Sequence, residues 1–391
     1  KNLNMPYSVK TERTFFQKFL FGILLLQFSL AFANTTTTKM AIPEEIRPLW
    51  DSLSLKEKIA QMVMVYMPNE AYITTHQFGA ILVMKPHLKD TNQLKETIFN
   101  ANQNIKVPLL VAIDQEGGFV NRLSNADPKW SGLPSAIAMR SMPTQAIDSI
   151  GEITGKALSS LGINLNLAPV LDPATDSRGK KTFIEESSRS WGNLDSTNIN
   201  HVRAFVKGLA RSNVFCVSKH FPGYDSWTNS DHQISMSSAP DSQIQKNILP
   251  FKMLVEDVPF IMMSSVRFRK ISESPAVFEK KLVKQAKALH PNTIILTDDL
   301  WGMSLRSWIS GRKNLKRKNY PKADFEKLIL KTLNAGNDMF MITYPAKAVE
   351  MIHYLERLAK KNRKYREQIE ESALKIILMK YKYGLLKPTS F

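Results

Sequence analysis

Apolar residues in this chain gather into eight short runs, at residues 62–67, 79–84, 108–113, 163–170, 214–218, 260–264, 293–296 and 339–343. The runs are nearly continuous, without the in–out alternation of a half-exposed strand, as expected of strands covered on both faces. Between most of them the spacing becomes helical over ten or more residues, as at 141–161 and 196–212. Strands of this kind separated by helices predict a parallel sheet. Eight of them predict closure into a TIM-type (β/α)8 barrel, an α/β fold with a single catalytic domain. A doubly wound open sheet is the structural alternative, but no GxGxxG turn follows an early strand.

The two ends of the pattern differ. Ser54-Leu55-Lys56-Glu57 has the form of a capping box opening a helix, so ordered structure is expected from near residue 45. Residues 365–383 carry Ile369, Ala373, Ile376 and Ile377 at helical spacing and stop at Gly384, which predicts a capped, amphipathic closing helix. Before the barrel, Lys10, Arg13 and Lys18 precede an apolar run at 19–33 that ends in Ala31-Phe32-Ala33. That is the charged region, apolar region and A-x-A site of a secretory signal peptide; a retained anchor has the same pattern. The expected organisation is a signal peptide at 1–33, a linker at 34–44 and the barrel with its closing helix at 45–391, exported to the periplasm or the cell exterior.

Composition adds three constraints. With 43% hydrophobic and 23% charged residues the chain is globular. The formal charge is +18, and +15 without residues 1–33, which favours contact with anionic polymers of a cell envelope. The densest basic run, at 312–322, contains no nucleic-acid motif and reads as a solvated loop, so no nucleic-acid partner is expected. Cys216 is the only cysteine, which excludes an intrachain disulfide and a lipid-modified cysteine at the cleavage point. A monomer without cofactor or metal is expected.

Polar groups cluster at the C-terminal ends of the expected strands, where a barrel places its chemistry. Asp114-Gln115-Glu116-Gly117-Gly118 follows the third, Asp172 the fourth, Lys219-His220 the fifth and Asp298-Asp299 the seventh. Such a rim suits cleavage of a glycosidic bond, which needs an acid for the leaving oxygen and, with retention, a nucleophile for the anomeric carbon. Asp298, almost directly after a strand, is the candidate nucleophile, whereas Asp299 suits a helix cap. His232, on a polar loop at 225–232, is the candidate acid/base. Lys219, His220, Asp114, Arg122 and Arg189 are candidates for binding sugar hydroxyls, against the blander readings of buried ion pairs. Trp227 is placed either to stack on a sugar or to pack against the barrel.

These residues resemble bacterial β-N-acetylglucosaminidases of glycoside hydrolase family 3, in the single-domain branch. The resemblance rests on EKIAQM at 57–62, AIDQEGG at 112–118, NLAPVLDP at 166–173, SRSWG at 188–192, KHFPG at 219–223 and TDDLWGM at 297–303. It implies a TIM barrel, no cofactor, and stepwise release of terminal β-linked N-acetylglucosamine from peptidoglycan fragments or chitin-type oligosaccharides through a covalent glycosyl-enzyme. It places the nucleophile on Asp298, the acid/base on His232, and sugar contacts on Asp114, Arg122, Arg189, Lys219 and His220.

The chain departs from the family pattern at the acid/base loop. Where the family has KHFPGHG, four residues and Asp-Ser-His, this chain has Tyr224-Asp225 and then Ser230-Asp231-His232. The carboxylate that would orient the histidine is displaced by one residue, which leaves Asp231 or Asp225 to act as its partner. Phe119 stands where an arginine usually follows the glycines, Ser265 where a histidine usually follows the sixth strand, and 174–188 is longer than usual. A catalytically weak sugar-binding homologue and a phosphate-dependent phosphorylase are the alternative readings.

Overall fold

The computed structural model describes residues 40–387, except 197, 313–316 and the side chain of Lys318. The expected signal peptide and most of the linker lie outside the described residues. The chain divides between Ala41 and Ile42, and the barrel belongs to the second unit.

Ten strands follow in chain order: β1 (Val63–Tyr66), β2 (Ala80–Val83), β3 (Leu110–Ile113), β4 (Leu165–Asn166), β5 (Phe215–Phe221), β6 (Met236–Ser237), β7 (Phe260–Met263), β8 (Arg267–Phe268), β9 (Ile294–Thr297) and β10 (Phe340–Ile342). Eight form one parallel sheet in the order β10-β1-β2-β3-β4-β5-β7-β9, while β6 and β8 pair separately. The sheet closes where the N–H groups of Asp338 and Met339 donate to the Ile295 carbonyl at 2.9 Å and Thr297 donates to Met339 at 2.9 Å. This is the expected (β/α)8 barrel. Every residue of β2, β3, β7 and β9 is buried, since helices cover the outer face and side chains fill the interior.

Two strands differ from the sequence pattern. The run at 163–170 yields only Leu165–Asn166 as strand, because Pro169 has no N–H to give a ladder. The neighbouring strand compensates by donating to this segment, from Val217 to Ala168 and from Lys219 to Pro169, each at 3.1 Å. Conversely, β5 runs beyond the apolar segment 214–218 to Phe221 and carries Lys219 and His220 inside the sheet. Their polarity marks the end of an apolar run but not the end of the strand.

The helix Thr144–Ser160 packs on Ile199–Ala210 at very close range. A Cβ on Gly151 would lie 2.4 Å from the Phe205 carbonyl oxygen, and one on Gly208 would lie 2.4 Å from that of Asp148. At the start of the barrel the capping box forms: Glu57 N–H donates to Ser54 Oγ at 3.2 Å, and Ser54 N–H to Glu57 Oε2 at 2.7 Å. The closing helix is Arg363–Lys382, and its buried Lys380 donates to Gln61 Oε1 at 2.9 Å and the Gly79 carbonyl at 2.8 Å. Burial pushes Lys380 down to about 7. Among the described residues no helix is long and apolar enough to cross a membrane.

Candidate active site

The C-terminal ends of the barrel strands surround a cavity of about 310 Å³. Leu167, Met262 and Met341 give it apolar lining, Asp114, Glu116, Arg122, Arg189, Lys219, Asp231 and Asp298 supply its charges, and His220 stands beside them. All five sequence-derived sugar-binding candidates and the candidate nucleophile thus meet in one place.

Glu116 organises one side of it. This buried carboxylate takes a two-pronged contact from Arg189, Nε to Oε2 at 2.7 Å and Nη2 to Oε1 at 2.9 Å. It also faces Lys219 Nζ at 2.7 Å, and that ammonium reaches Asp114 Oδ1 at 2.7 Å. Burial alone would raise Glu116, but Lys219 and Arg189 outweigh it and hold the carboxyl at about 2. Lys219 is only 2% exposed. Burial works against its charge too, yet Asp114 and Glu116 keep its pKa above the usual lysine value. The ion-pair reading therefore holds for Lys219 and Arg189, and Glu116, inside a recognised motif but absent from the candidates, is their common partner. An acid just past one strand end, with Lys219 on another strand and Arg189 in a neighbouring motif, is the signal that could have found it.

Arg122 differs from these two. Gln115 fixes its backbone by accepting from the N–H groups of Arg122 at 2.8 Å and Leu123 at 2.9 Å. Gln115 is itself paired through its main chain with the Asn166 side chain, at 2.9 Å in both directions. The Nε of Arg122 is buried and has no hydrogen-bond partner among the described residues. A buried donor without a partner on a cavity wall is a group awaiting a ligand or water.

His220 stands on Asp172. The fully buried carboxylate accepts from the backbone N–H groups of His220 at 2.9 Å and Tyr224 at 2.7 Å, and it lies 2.7 Å from His220 Nδ1. With Nδ1 turned to this carboxylate, Nε2 is the ring nitrogen left for the cavity.

Asp298 and Asp299 take different places, and Asp299 does not cap the next helix as expected, since that helix begins after Gly302 without a side-chain cap. Asp299 accepts from Trp301 N–H at 3.0 Å, Thr343 N–H at 3.0 Å and Thr343 Oγ1 at 2.7 Å, which ties the end of β9 to that of β10. Asp298 borders the cavity. Its Oδ1 accepts from Asp299 N–H at 2.7 Å, and Ser265 Oγ donates to Oδ2 at 3.3 Å.

The loop 225–232 divides its polar residues between two sides. Asn229, Ser230 and Asp231 line the cavity, whereas His232 is exposed, is not on the cavity wall, and has no polar partner among the described residues. Tyr224 anchors the loop by donating to the Thr228 carbonyl at 2.5 Å and accepting from Ser230 N–H at 2.7 Å. Asp225 turns the other way, into a second cavity of about 180 Å³ with Arg178 and Trp227. Burial pushes its carboxyl up to about 6, with Asn247 as its hydrogen-bonding partner. Trp227 thus belongs to that neighbouring cavity, under the ammonium of Lys180 at 4.4 Å, and not to the strand-end pocket. Segment 174–188 forms a small hairpin at Thr175–Lys181 and the short helix Phe183–Glu186, which adds Phe183 and Ile184 to the pocket wall. Phe183 N–H donates to the Ser226 carbonyl at 2.9 Å, joining the two segments. A larger, more open groove of about 730 Å³ lies beside the helix Thr91–Gln103 and includes none of the strand-end charges just described.

A closed (β/α)8 barrel with paired charges, an unpartnered arginine and an accessible carboxylate at its strand ends is a TIM-barrel enzyme. Residues 54–379 match the glycosyl hydrolase family 3 N-terminal domain. The chain belongs to that family and is a glycosidase. It is 25% identical over 348 residues to the β-hexosaminidase LpqI of Mycobacterium tuberculosis, covering 84% of this chain and 83% of that one. It is 27% identical over 228 residues to a β-hexosaminidase of Glaesserella parasuis, covering 57% and 65%. Among solved structures, the β-N-acetylhexosaminidase of Beutenbergia cavernae superposes with a TM-score of 0.71 at 23% identity, covering 84% of this chain and 99% of the other. The family 3 β-N-acetylglucosaminidase of a Paenibacillus species does so with 0.72 at 23%, covering 85% and 63%.

Proposed function

We propose that the protein is an exo-acting, retaining β-N-acetylglucosaminidase, with Asp298 as nucleophile and His232 as acid/base. It would remove terminal β-linked N-acetylglucosamine from chitin-type oligosaccharides or peptidoglycan fragments, as a monomer exported to the periplasm or cell exterior. The observation that carries the reading is Asp298 on the wall of a cavity that also holds the unpartnered Nε of Arg122. About 310 Å³ is at the lower end of ligand pockets, which suits one sugar ring at the end of a chain. The names of the relatives, β-hexosaminidase and β-N-acetylglucosaminidase, agree with the terminal sugar.

In the first step the imidazolium of His232 gives a proton to the leaving glycosidic oxygen while Asp298 attacks the anomeric carbon, giving a glycosyl ester and the free aglycone. In the second, neutral His232 takes a proton from water, the hydroxide attacks the same carbon, and the Asp298 carboxylate departs. Arg122 and His220 Nε2 would hold sugar hydroxyls, and Asp114, neutralised by Lys219, would accept from them. His232 must enter the cavity for this chemistry, and the adjacent Asp231, already on the wall, lies about 3.8 Å along the chain from it, one Cα step. Asp231 is the carboxylate placed to orient the imidazole once the loop has moved.

Chromophore release from an aryl β-N-acetylglucosaminide tests the assignment, with an aryl β-glucoside as control. Asp298→Ala is expected to abolish turnover and His232→Ala to reduce it by about 10²–10⁴-fold. Full activity of His232→Ala would move the acid role elsewhere on the rim. The exposed position of His232 favours one second reading, a sugar-binding homologue with weak catalysis. In that case wild type and Asp298→Asn bind N-acetylglucosamine alike and neither turns over. Turnover that rises with added phosphate would instead support a phosphorylase.

A further inference from the structure

Phe119 is the most exposed large apolar side chain among the described residues, at 81%, and it lines the same cavity as Asp298. An aromatic ring left in water costs apolar hydration, and the turn that carries it is fixed in place. Gly117 and Gly118 both have positive φ, 88° and 54°, and a Cβ on them would lie 2.1 Å from the Pro134 carbonyl oxygen and 2.4 Å from Ser135 Cβ. Glu116 N–H donates to the Val120 carbonyl at 2.9 Å, Val120 N–H to the Gly117 carbonyl at 3.1 Å, and Gly118 N–H to the Leu133 carbonyl at 3.0 Å. The turn is pinned on both sides of Phe119, and Glu116, one of its members, is locked by Arg189 and Lys219.

We propose that Phe119 is the platform on which the leaving part of the substrate stacks, and that it selects a neutral pyranose aglycone. The inference rests on the glycosidase reading above and deepens it. A cavity of about 310 Å³ takes one ring, so the next sugar of a chain lies at the mouth, beside Phe119. A β-linked pyranose presents its axial C–H groups as an apolar face, which suits an aromatic ring. Charge gives the second half of the argument. The cavity lining holds the carboxylates Asp114, Glu116, Asp231 and Asp298 against the cations Arg122, Arg189 and Lys219, and two of those cations are already paired. The pocket therefore has no surplus positive charge to draw an anionic aglycone, although the whole chain is strongly basic.

Three glycosides of N-acetylglucosamine test this: chitobiose, the disaccharide with N-acetylmuramic acid as aglycone, and the methyl glycoside. Wild type is expected to prefer chitobiose in kcat/KM. Phe119→Ala should lose roughly 2- to 12-fold more on chitobiose than on the methyl glycoside, mainly through KM, and Phe119→Trp should restore the preference. Equal losses on the two, or a wild-type preference for the carboxylate-bearing disaccharide, would overturn the proposal. If wild type hydrolyses none of the three, the glycosidase reading fails by itself. Calorimetric binding of chitobiose against free N-acetylglucosamine then decides on Phe119: a preference absent in wild type, or surviving in Phe119→Ala, refutes the platform.

Discussion

Glu116 and Asp225 are two buried carboxyls shifted in opposite directions. Glu116 keeps its charge because Lys219 and Arg189 surround it, whereas Asp225 has mainly an amide for company and is pushed up to about 6 by burial. An unfolded aspartate titrates near ~3.9, so between that value and about 6 the folded chain binds the proton more tightly. Asp225 therefore contributes stability at low pH that is lost as pH rises through about 6. Asp225→Asn, neutral at every pH, is expected to be about 2–3 kcal/mol more stable than wild type at pH 8 and equal to it at pH 4. Thermal melting at the two pH values checks this, and a variant less stable at both would show that Asp225 is held by a partner of its charged form. The same residues mark the limit of sequence reading. That Asp114, Arg122, Lys219, His220 and Asp298 would share a pocket follows from strand ends facing one way. Which of them are consumed by one another does not, because that depends on a third residue, Glu116, brought in by the fold.

At the scale of elements, the barrel was legible because its strands are apolar on both faces and its helices keep a regular period. Boundaries failed where backbone chemistry overrides side-chain character. A proline cuts β4 to two residues, and buried charges with partners lengthen β5. The close approach of Thr144–Ser160 to Ile199–Ala210 is not given by the apolar spacing of either helix, since it depends on the missing side chains of Gly151 and Gly208. In Gly151→Ala a methyl would meet the Phe205 carbonyl at 2.4 Å. Better helix propensity contributes about 1 kcal/mol, but separating the helices costs about 1–3 kcal/mol, so the variant is expected to be the less stable by denaturant titration. Gly132→Ala, where a Cβ meets nothing within 4 Å, is the neutral control. Equal midpoints for the two variants would mean that the helices separate at little cost.

For the whole molecule, charge is distributed unevenly: the chain as a whole carries +18, whereas the lining of its pocket leans acidic. On the proposed reading the basic surplus would favour anionic envelope polymers while the pocket would take a neutral sugar. Retention on an immobilised polyanion is therefore expected at low salt and should collapse as the Debye length falls from about 10 Å at 0.1 M to about 3 Å at 1 M. Turnover of a neutral glycoside should change little over the same range. Salt-insensitive retention would point to a specific contact instead of the summed charge.

The hydrogen bond from Phe183 to Ser226 has a consequence for how such a rim is inherited. Two stretches far apart in sequence form one wall, and the second continues into Asp231 and His232. A chimera that exchanges only 174–188 with a relative leaves the loop 225–232 leaning on a foreign neighbour. Exchanging both as a cassette keeps their join, so in recombination the natural unit of this pocket is the pair of loops.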